Sequence, residues 1–249
     1  MTGFWLNKTE DGEEFLEIRM LAPHQQATPY FYNYDPSRPK PGTELNYSDP
    51  TNVVGHLQRC FICYWALRGF TELGGTVGAD LGGSGVLTPG CISVDYIGTG
   101  EKPNYGGTMV GVSIKADAEK LAHHGFGANC FSSVVSNHLI EHLSCLYCPP
   151  NKTPQERKAI NCDGAEIRHV IQSWVTLLKS GGYVAAITPD EKFMEGTGSS
   201  FLYIDDTHRH AFDSRTFREL ILDKLQGIEI IEYANFNNNF SFEWVIRKL

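Results

Sequence analysis

Five short apolar runs constrain this chain more than any other feature, because each is continuous and each gives way to polar residues. They are Thr76–Leu81, ending in Asp80-Leu81-Gly82-Gly83; Cys91–Val94, ending at Asp95; Val110–Ile114, followed by Lys115 and Asp117; Phe131–Val135, followed by Ser136-Asn137-His138; and Tyr183–Ile187, followed by Thr188-Pro189-Asp190. Continuous apolar strands are buried on both faces, which calls for helices above and below a mainly parallel sheet. The spacing predicts those helices. Val53–Phe70 follows a start signal at Asp49-Pro50 and has Gly69 as its stop; Ala165–Lys179 ends in Ser180-Gly181-Gly182; Ser214–Leu225 has Asp213 as its N-cap. Ile228–Tyr233 and Phe240–Ile246, around Asn237-Asn238-Asn239, read as a closing hairpin that adds an antiparallel strand. The expected class is α/β.

Residues 1–50 are different. Pro23, Pro29, Pro36, Pro39, Pro41 and Pro50 punctuate them, and Tyr30, Phe31, Tyr32, Tyr34 and Tyr47 load them with aromatics. Each proline removes a donor and restricts its predecessor, so regular helix is disfavoured. An arm wrapped on the core and a lid over a substrate pocket both fit. The expected division is therefore 1–50 as an N-terminal arm or cap and 51–249 as the sheet domain, with 145–162 as an inserted loop. The 21 Lys+Arg against 29 Asp+Glu leave a net charge of −8. That disfavours nucleic-acid binding, which runs on cations neutralising phosphates. No secretory signal is expected, and no apolar run approaches the roughly 20 residues of a membrane span. Seven dispersed cysteines read as reduced thiols in a cytoplasmic protein.

The ends of parallel strands are where open α/β sheets bind ligands, so the polar strand ends carry the functional signal. Glycines after Asp80 allow close backbone approach to a ligand. Asp95, one strand along, suits the two hydroxyls of a ribose. Lys115-Ala116-Asp117-Ala118 suits an adenine edge. A nicotinamide enzyme would need G-x-G-x-x-G opening a helix. Here the third glycine position is Thr88, and Pro89-Gly90 leaves no room for a helix before Cys91. The ligand read from these positions carries ribose and adenine without a pyrophosphate.

Val77–Gly85 followed by Pro89-Gly90-Cys91-Ile92-Ser93-Val94-Asp95 resembles the glycine loop and second strand of class I S-adenosylmethionine-dependent methyltransferases, in the subgroup with a short "PG-x-I-x-VD" link. Ala116–Leu121, Phe131–Leu143 and Leu178–Tyr183 resemble that family's adenine segment, fourth strand and fifth-strand approach, so the resemblance covers about residues 74–249. It implies a Rossmann-like three-layer sandwich with a seven-stranded, mostly parallel sheet and an antiparallel C-terminal strand. It also implies S-adenosyl-L-methionine as cofactor, held by Asp80, Leu81, Gly82, Gly83, Asp95, Tyr96, Asp117, Ala118 and Asn137. Ser84, Ser132-Ser133 and Ser180 depart from the family pattern.

The implied chemistry is in-line methyl transfer to an oxygen or nitrogen, with a positioned base to take a proton. His138, His208 and His210 are the candidates, with a structural histidine as the plain alternative for each. His142 reads as structural. The expected acceptor is a small polar or sugar-like molecule or glycan, with no nucleic acid or membrane partner and room for a homodimer. A non-catalytic nucleoside-binding partner protein on the same fold is the competing reading. Cys60/Cys63 and Cys145/Cys148 are C-x-x-C pairs with Cys162, His138 and His142 as further zinc ligand types. The apolar setting of Cys60 and Cys63 speaks against that, and no metal is assigned.

Overall fold

A computed structural model describes residues 2–8, 14–20, 50–82, 88–96, 112–143, 164–204, 207–235 and 241–249. Seven strands form one sheet in the order β5-β4-β3-β6-β7-β9-β8. They are β3 (Gly78–Leu81), β4 (Cys91–Asp95), β5 (Ile114–Lys115), β6 (Phe131–Asn137), β7 (Leu178–Pro189), β8 (Ile228–Asn235) and β9 (Ser241–Lys248). β5, β4, β3, β6 and β7 are parallel neighbours, and β9 runs against both β7 and β8. This is a Rossmann-like sheet with an antiparallel C-terminal strand, as the apolar runs and the resemblance led us to expect. Strand order reverses between β3 and β6, which opens a crevice at their carboxyl ends.

Helices cover both faces. On one, Ile62, Trp65 and Ala66 of α1 (Pro50–Glu72) pack on Val135, Tyr183, Ala185, Ile187 and Val245. On the other, Ile167, Ile171 and Trp174 of α2 (Ala165–Leu177) and Phe217 of α3 (Ser214–Leu220) meet Val134, Val184, Ala186, Phe242 and Trp244. Successive strand residues alternate between these cores, which is why the apolar runs are unbroken. No helix among the described residues is long and apolar enough to cross a membrane.

Several boundaries differ from expectation for physical reasons. α1 runs past Gly69 to Glu72 and stops at Gly74 and Gly75, which take φ values of +64° and +82°. Gly69 is a contact, not a stop: a Cβ there would lie 2.8 Å from the Ser132 carbonyl oxygen of β6. α2 ends at Leu177, and Leu178 already pairs with Phe131, so Ser180-Gly181-Gly182 is an irregularity inside β7 rather than a helix stop. Residues Leu222–Lys224 tighten into a separate 3₁₀ turn after α3, whose Asp213 cap accepts from Arg215 N at 2.8 Å. Near the N-terminus, β1 (Thr2–Lys8) and β2 (Glu14–Met20) pair as an antiparallel hairpin that composition did not foretell. Tyr30, Tyr32 and Tyr34, and the inserted loop with Cys145, Cys148 and Cys162, lie outside the described residues.

One buried acid gives the fold a pH signature. Glu243 of β9 is buried, and its Oε2 makes no hydrogen bond among the described residues. Burial, with Glu232 nearby, pushes its pKa up from 4.5 to about 7. Between these values the folded chain holds a proton that the unfolded chain has released, so this group's contribution to stability falls as pH rises through that window. Glu243→Gln is therefore expected to leave stability unchanged near pH 4 and to raise it by about 1–2 kcal/mol at about pH 8. Thermal midpoints measured across that range check it; equal pH profiles for both proteins would refute it.

Candidate active site

The expected cofactor residues fall along one sheet edge. Asp80 and Leu81 end β3, Asp95 ends β4, Asp117 and Ala118 follow β5, and Asn137 ends β6. Asp80 is buried and accepts from the Thr88 hydroxyl. Leu81 is fully buried, and its side chain belongs to the core under the sheet. Gly82 turns the chain with φ +65° and donates its N–H to Val94 O at 3.0 Å, tying the start of the glycine loop to β4. A Cβ at Gly82 would meet Leu139 at 3.0 Å. Gly83 lies outside the described residues. Asp95 is 7% exposed, and Tyr96 after it is exposed. Asn137, the last residue of β6, has a buried Oδ1 with no hydrogen-bond partner among the described residues.

Asp117 is held within its own turn. Its carboxylate accepts from Glu119 N at 2.9 Å and Lys120 Nζ at 3.0 Å. Burial works to raise its pKa, but that amide and the ammonium outweigh it and hold the group below its ordinary value. Its first task is to shape the turn after β5. Ala118 is fixed beside it by Trp174 Nε1, which donates to Ala118 O at 2.8 Å.

The three expected catalytic histidines stand at the neighbouring β6 and β7 ends. His138 takes φ +52°, a left-handed conformation that strains a residue with a Cβ by about 1 kcal/mol. Its N–H donates to Ile187 O at 3.0 Å. Its Nε2 lies 2.9 Å from Ser241 Oγ and 3.3 Å from Gln58 Nε2, while Gln58 also donates to Ser241. Burial, reinforced by His208 and His142 nearby, lowers its pKa to about 4, so the ring is neutral at physiological pH. Neither Gln58 of α1 nor Ser241 of β9 carries a sequence signal for this role.

His208 and His210 are both buried. The segment that bears them docks on the turn after β6, where Arg209 N and His210 N donate to Glu141 O at 2.7 and 3.1 Å. His210 stacks on Phe212 at 5.3 Å between ring centroids. His142, read from sequence as structural, belongs to the same group: its ring lies 4.6 Å from that of His208. Beyond Leu139 the described chain forms a 3₁₀ turn, Ile140–His142, which sets Glu141 and His142 against the docked segment.

Asp190, at the end of β7, holds the far end of that segment. It accepts from Lys192 N at 3.1 Å, Ser214 N at 3.0 Å and Ser214 Oγ at 2.6 Å. Asp190→Ala strands three donors, two of them at helix starts, and is expected to cost about 3 kcal/mol. That is a fall of about 6–12 °C in thermal midpoint. Asp190→Asn should recover part of it. An unchanged midpoint in the alanine variant would mean that the carboxylate does not tether this segment.

Comparison with known proteins finds likeness among solved structures alone. No family model and no curated protein matches it. Among solved structures it is similar to an S-adenosylmethionine-dependent methyltransferase from Mesorhizobium loti, at 12% identity and TM-score 0.44, covering 76% of this chain and 100% of that one. It is also similar to the N-methyltransferase NodS from Bradyrhizobium japonicum in complex with S-adenosyl-L-homocysteine, at 12% identity and TM-score 0.44, covering 83% and 91%. A third is a methyltransferase from Archaeoglobus fulgidus, at 14% identity and TM-score 0.44, covering 80% and 100%. With such low values, the fold assignment rests on this chain's own strand order.

Proposed function

We propose that this chain is a methyltransferase that moves the methyl group of S-adenosyl-L-methionine to an oxygen or nitrogen of a small polar or sugar-like acceptor. The observation that supports it most is the succession of ligand groups at the switch-point edge: Asp80 and the Gly82 turn, buried Asp95, Asp117 with Ala118, and Asn137. In this reading Asp95 accepts from both ribose hydroxyls, the Gly82 turn admits the methionine end, and the segment after β5 meets adenine. The cofactor supplies the electrophilic methyl, and the protein supplies proximity and alignment. The imidazoles of His138, His208 and His210 stand on the acceptor side, where an O–H or N–H nucleophile must lose its proton. The seven dispersed cysteines fit a reducing, cytoplasmic setting.

Calorimetry with S-adenosylhomocysteine tests the cofactor half. Saturable 1:1 binding is expected, and none at millimolar ligand would overturn the reading. Radiolabelled methyl transfer into fractionated metabolite and glycan pools tests the other half. A chain that binds the nucleoside yet labels nothing is the non-catalytic partner protein instead.

A further inference from the structure

We infer that Glu141, His142 and His208 form a binding site for a divalent first-row transition cation at the acceptor side of the crevice. One ligand atom from each lies within 4.8 Å of the other two. Two come from the 3₁₀ turn after β6 and the third from the segment docked against it. Glu141 is 1% exposed, and its Oε1 lies 3.9 Å from His142 Nε2.

The outer contacts set the rings for ligation. His208 Nδ1 lies 2.7 Å from Phe201 O, an acceptor that only an N–H can satisfy. The lone pair of the neutral ring is therefore on Nε2. His142 Nδ1 lies 2.9 Å from Thr207 Oγ1, which leaves Nε2 on the Glu141 side. Ligating histidines characteristically give their second nitrogen to a carbonyl or hydroxyl in this way, which fixes tautomer and orientation. A ring buried for packing alone has no need of a carboxylate and a second imidazole facing it.

His138 flanks the site as a further nitrogen. Its Nδ1 lies 3.5 Å from Glu141 Oε1, while its Nε2 faces Ser241. Two imidazoles and one carboxylate suit Zn²⁺, Fe²⁺ or Co²⁺ rather than Mg²⁺ or Ca²⁺, which prefer all-oxygen shells. The 4.8 Å spread exceeds the roughly 3.4 Å between ligands of a tetrahedral ion, so binding draws the three side chains together. Three protein ligands leave a coordination position open. On the methyl-transfer reading, on which this last step rests, that position takes the acceptor oxygen and lowers its pKa.

Co²⁺ titration of the chelator-treated chain, with S-adenosylhomocysteine absent, reads the site by its visible absorption and by calorimetry. One equivalent is expected to bind at micromolar concentration. His208→Ala and Glu141→Gln should each weaken binding by about 100-fold or more, while His123→Ala, on an exposed 3₁₀ turn, should leave it unchanged. Should His208→Ala fail to fold, His142→Ala at a half-exposed position provides the same readout, with circular dichroism as the folding check. No saturable binding below about 1 mM, or full binding in a folded ligand variant, overturns the site. The two readings fail separately. Nucleoside binding without Co²⁺ binding removes the metal site alone. Co²⁺ binding without nucleoside binding removes the methyltransferase reading and leaves the metal site standing.

Discussion

Asp95→Ala should weaken S-adenosylhomocysteine binding by about 100-fold. The carboxylate closes β4, is 7% exposed, and sits one strand from the Gly82 turn. Two charge-assisted hydrogen bonds to a ribose contribute about 1.5–3 kcal/mol each, and their partial overlap gives roughly 3 kcal/mol in total. That total corresponds to about two orders of magnitude in affinity. Asp95→Asn keeps one good acceptor and should lose about 10-fold. Asp117→Asn should lose less, because Lys120 and the Glu119 amide already engage that group. The ranking is as informative as the size: equal losses at 95 and 117 would argue for a general charge effect rather than a ribose clamp. Undiminished binding in Asp95→Ala would falsify the assignment of this edge to the nucleoside.

What the sequence reveals and what it hides divide along one physical line. Strand ends are legible because an unbroken apolar run must stop where the chain leaves the core, and the next polar residue marks that edge. Asp95, Asn137 and Asp190 were all visible in this way. So was the N-cap at Asp213, whose bond is local. Gln58 and Ser241 were not visible, since they reach His138 from 80 and 103 residues away and neither forms a motif. His142 was an intermediate case. The sequence shows the spacing of His138, Glu141 and His142, but its meaning depends on a segment more than 60 residues downstream folding back onto it. His208 was legible as a candidate and not as a neighbour of His142.

Gly69 looks like a helix stop in sequence because a local rule and a tertiary contact favour the same residue. Its substitution should accordingly be among the most damaging in the sheet domain. Helix propensity alone says that Gly69→Ala stabilises α1 by about 1 kcal/mol. The packing says the opposite. A Cβ would lie 2.8 Å from Ser132 O and 3.2 Å from the Ser133 side chain, against strand backbone that is already paired on both sides. The sheet below is equally small, for Gly78 lies between Ser133 and Cys91 with no space for a side chain. Gly69→Ala is expected to destabilise by about 2 kcal/mol and Gly69→Val by 3 kcal/mol or more, which lowers the midpoint by about 4–8 °C and about 6–12 °C. Gly74→Ala is the comparison: its φ is +64° with nothing near its Cβ position, so it should lose only about 1 kcal/mol of backbone strain. The consequence reaches the site. Gln58 lies three turns before Gly69 on the same helix, about 16 Å along its axis, and it bonds both His138 and Ser241. A helix pushed off β6 at Gly69 tilts Gln58 away from that pair. If Gly69→Ala instead raises the midpoint, the close approach of α1 to β6 is wrong, and the Gln58 contact that depends on it falls too.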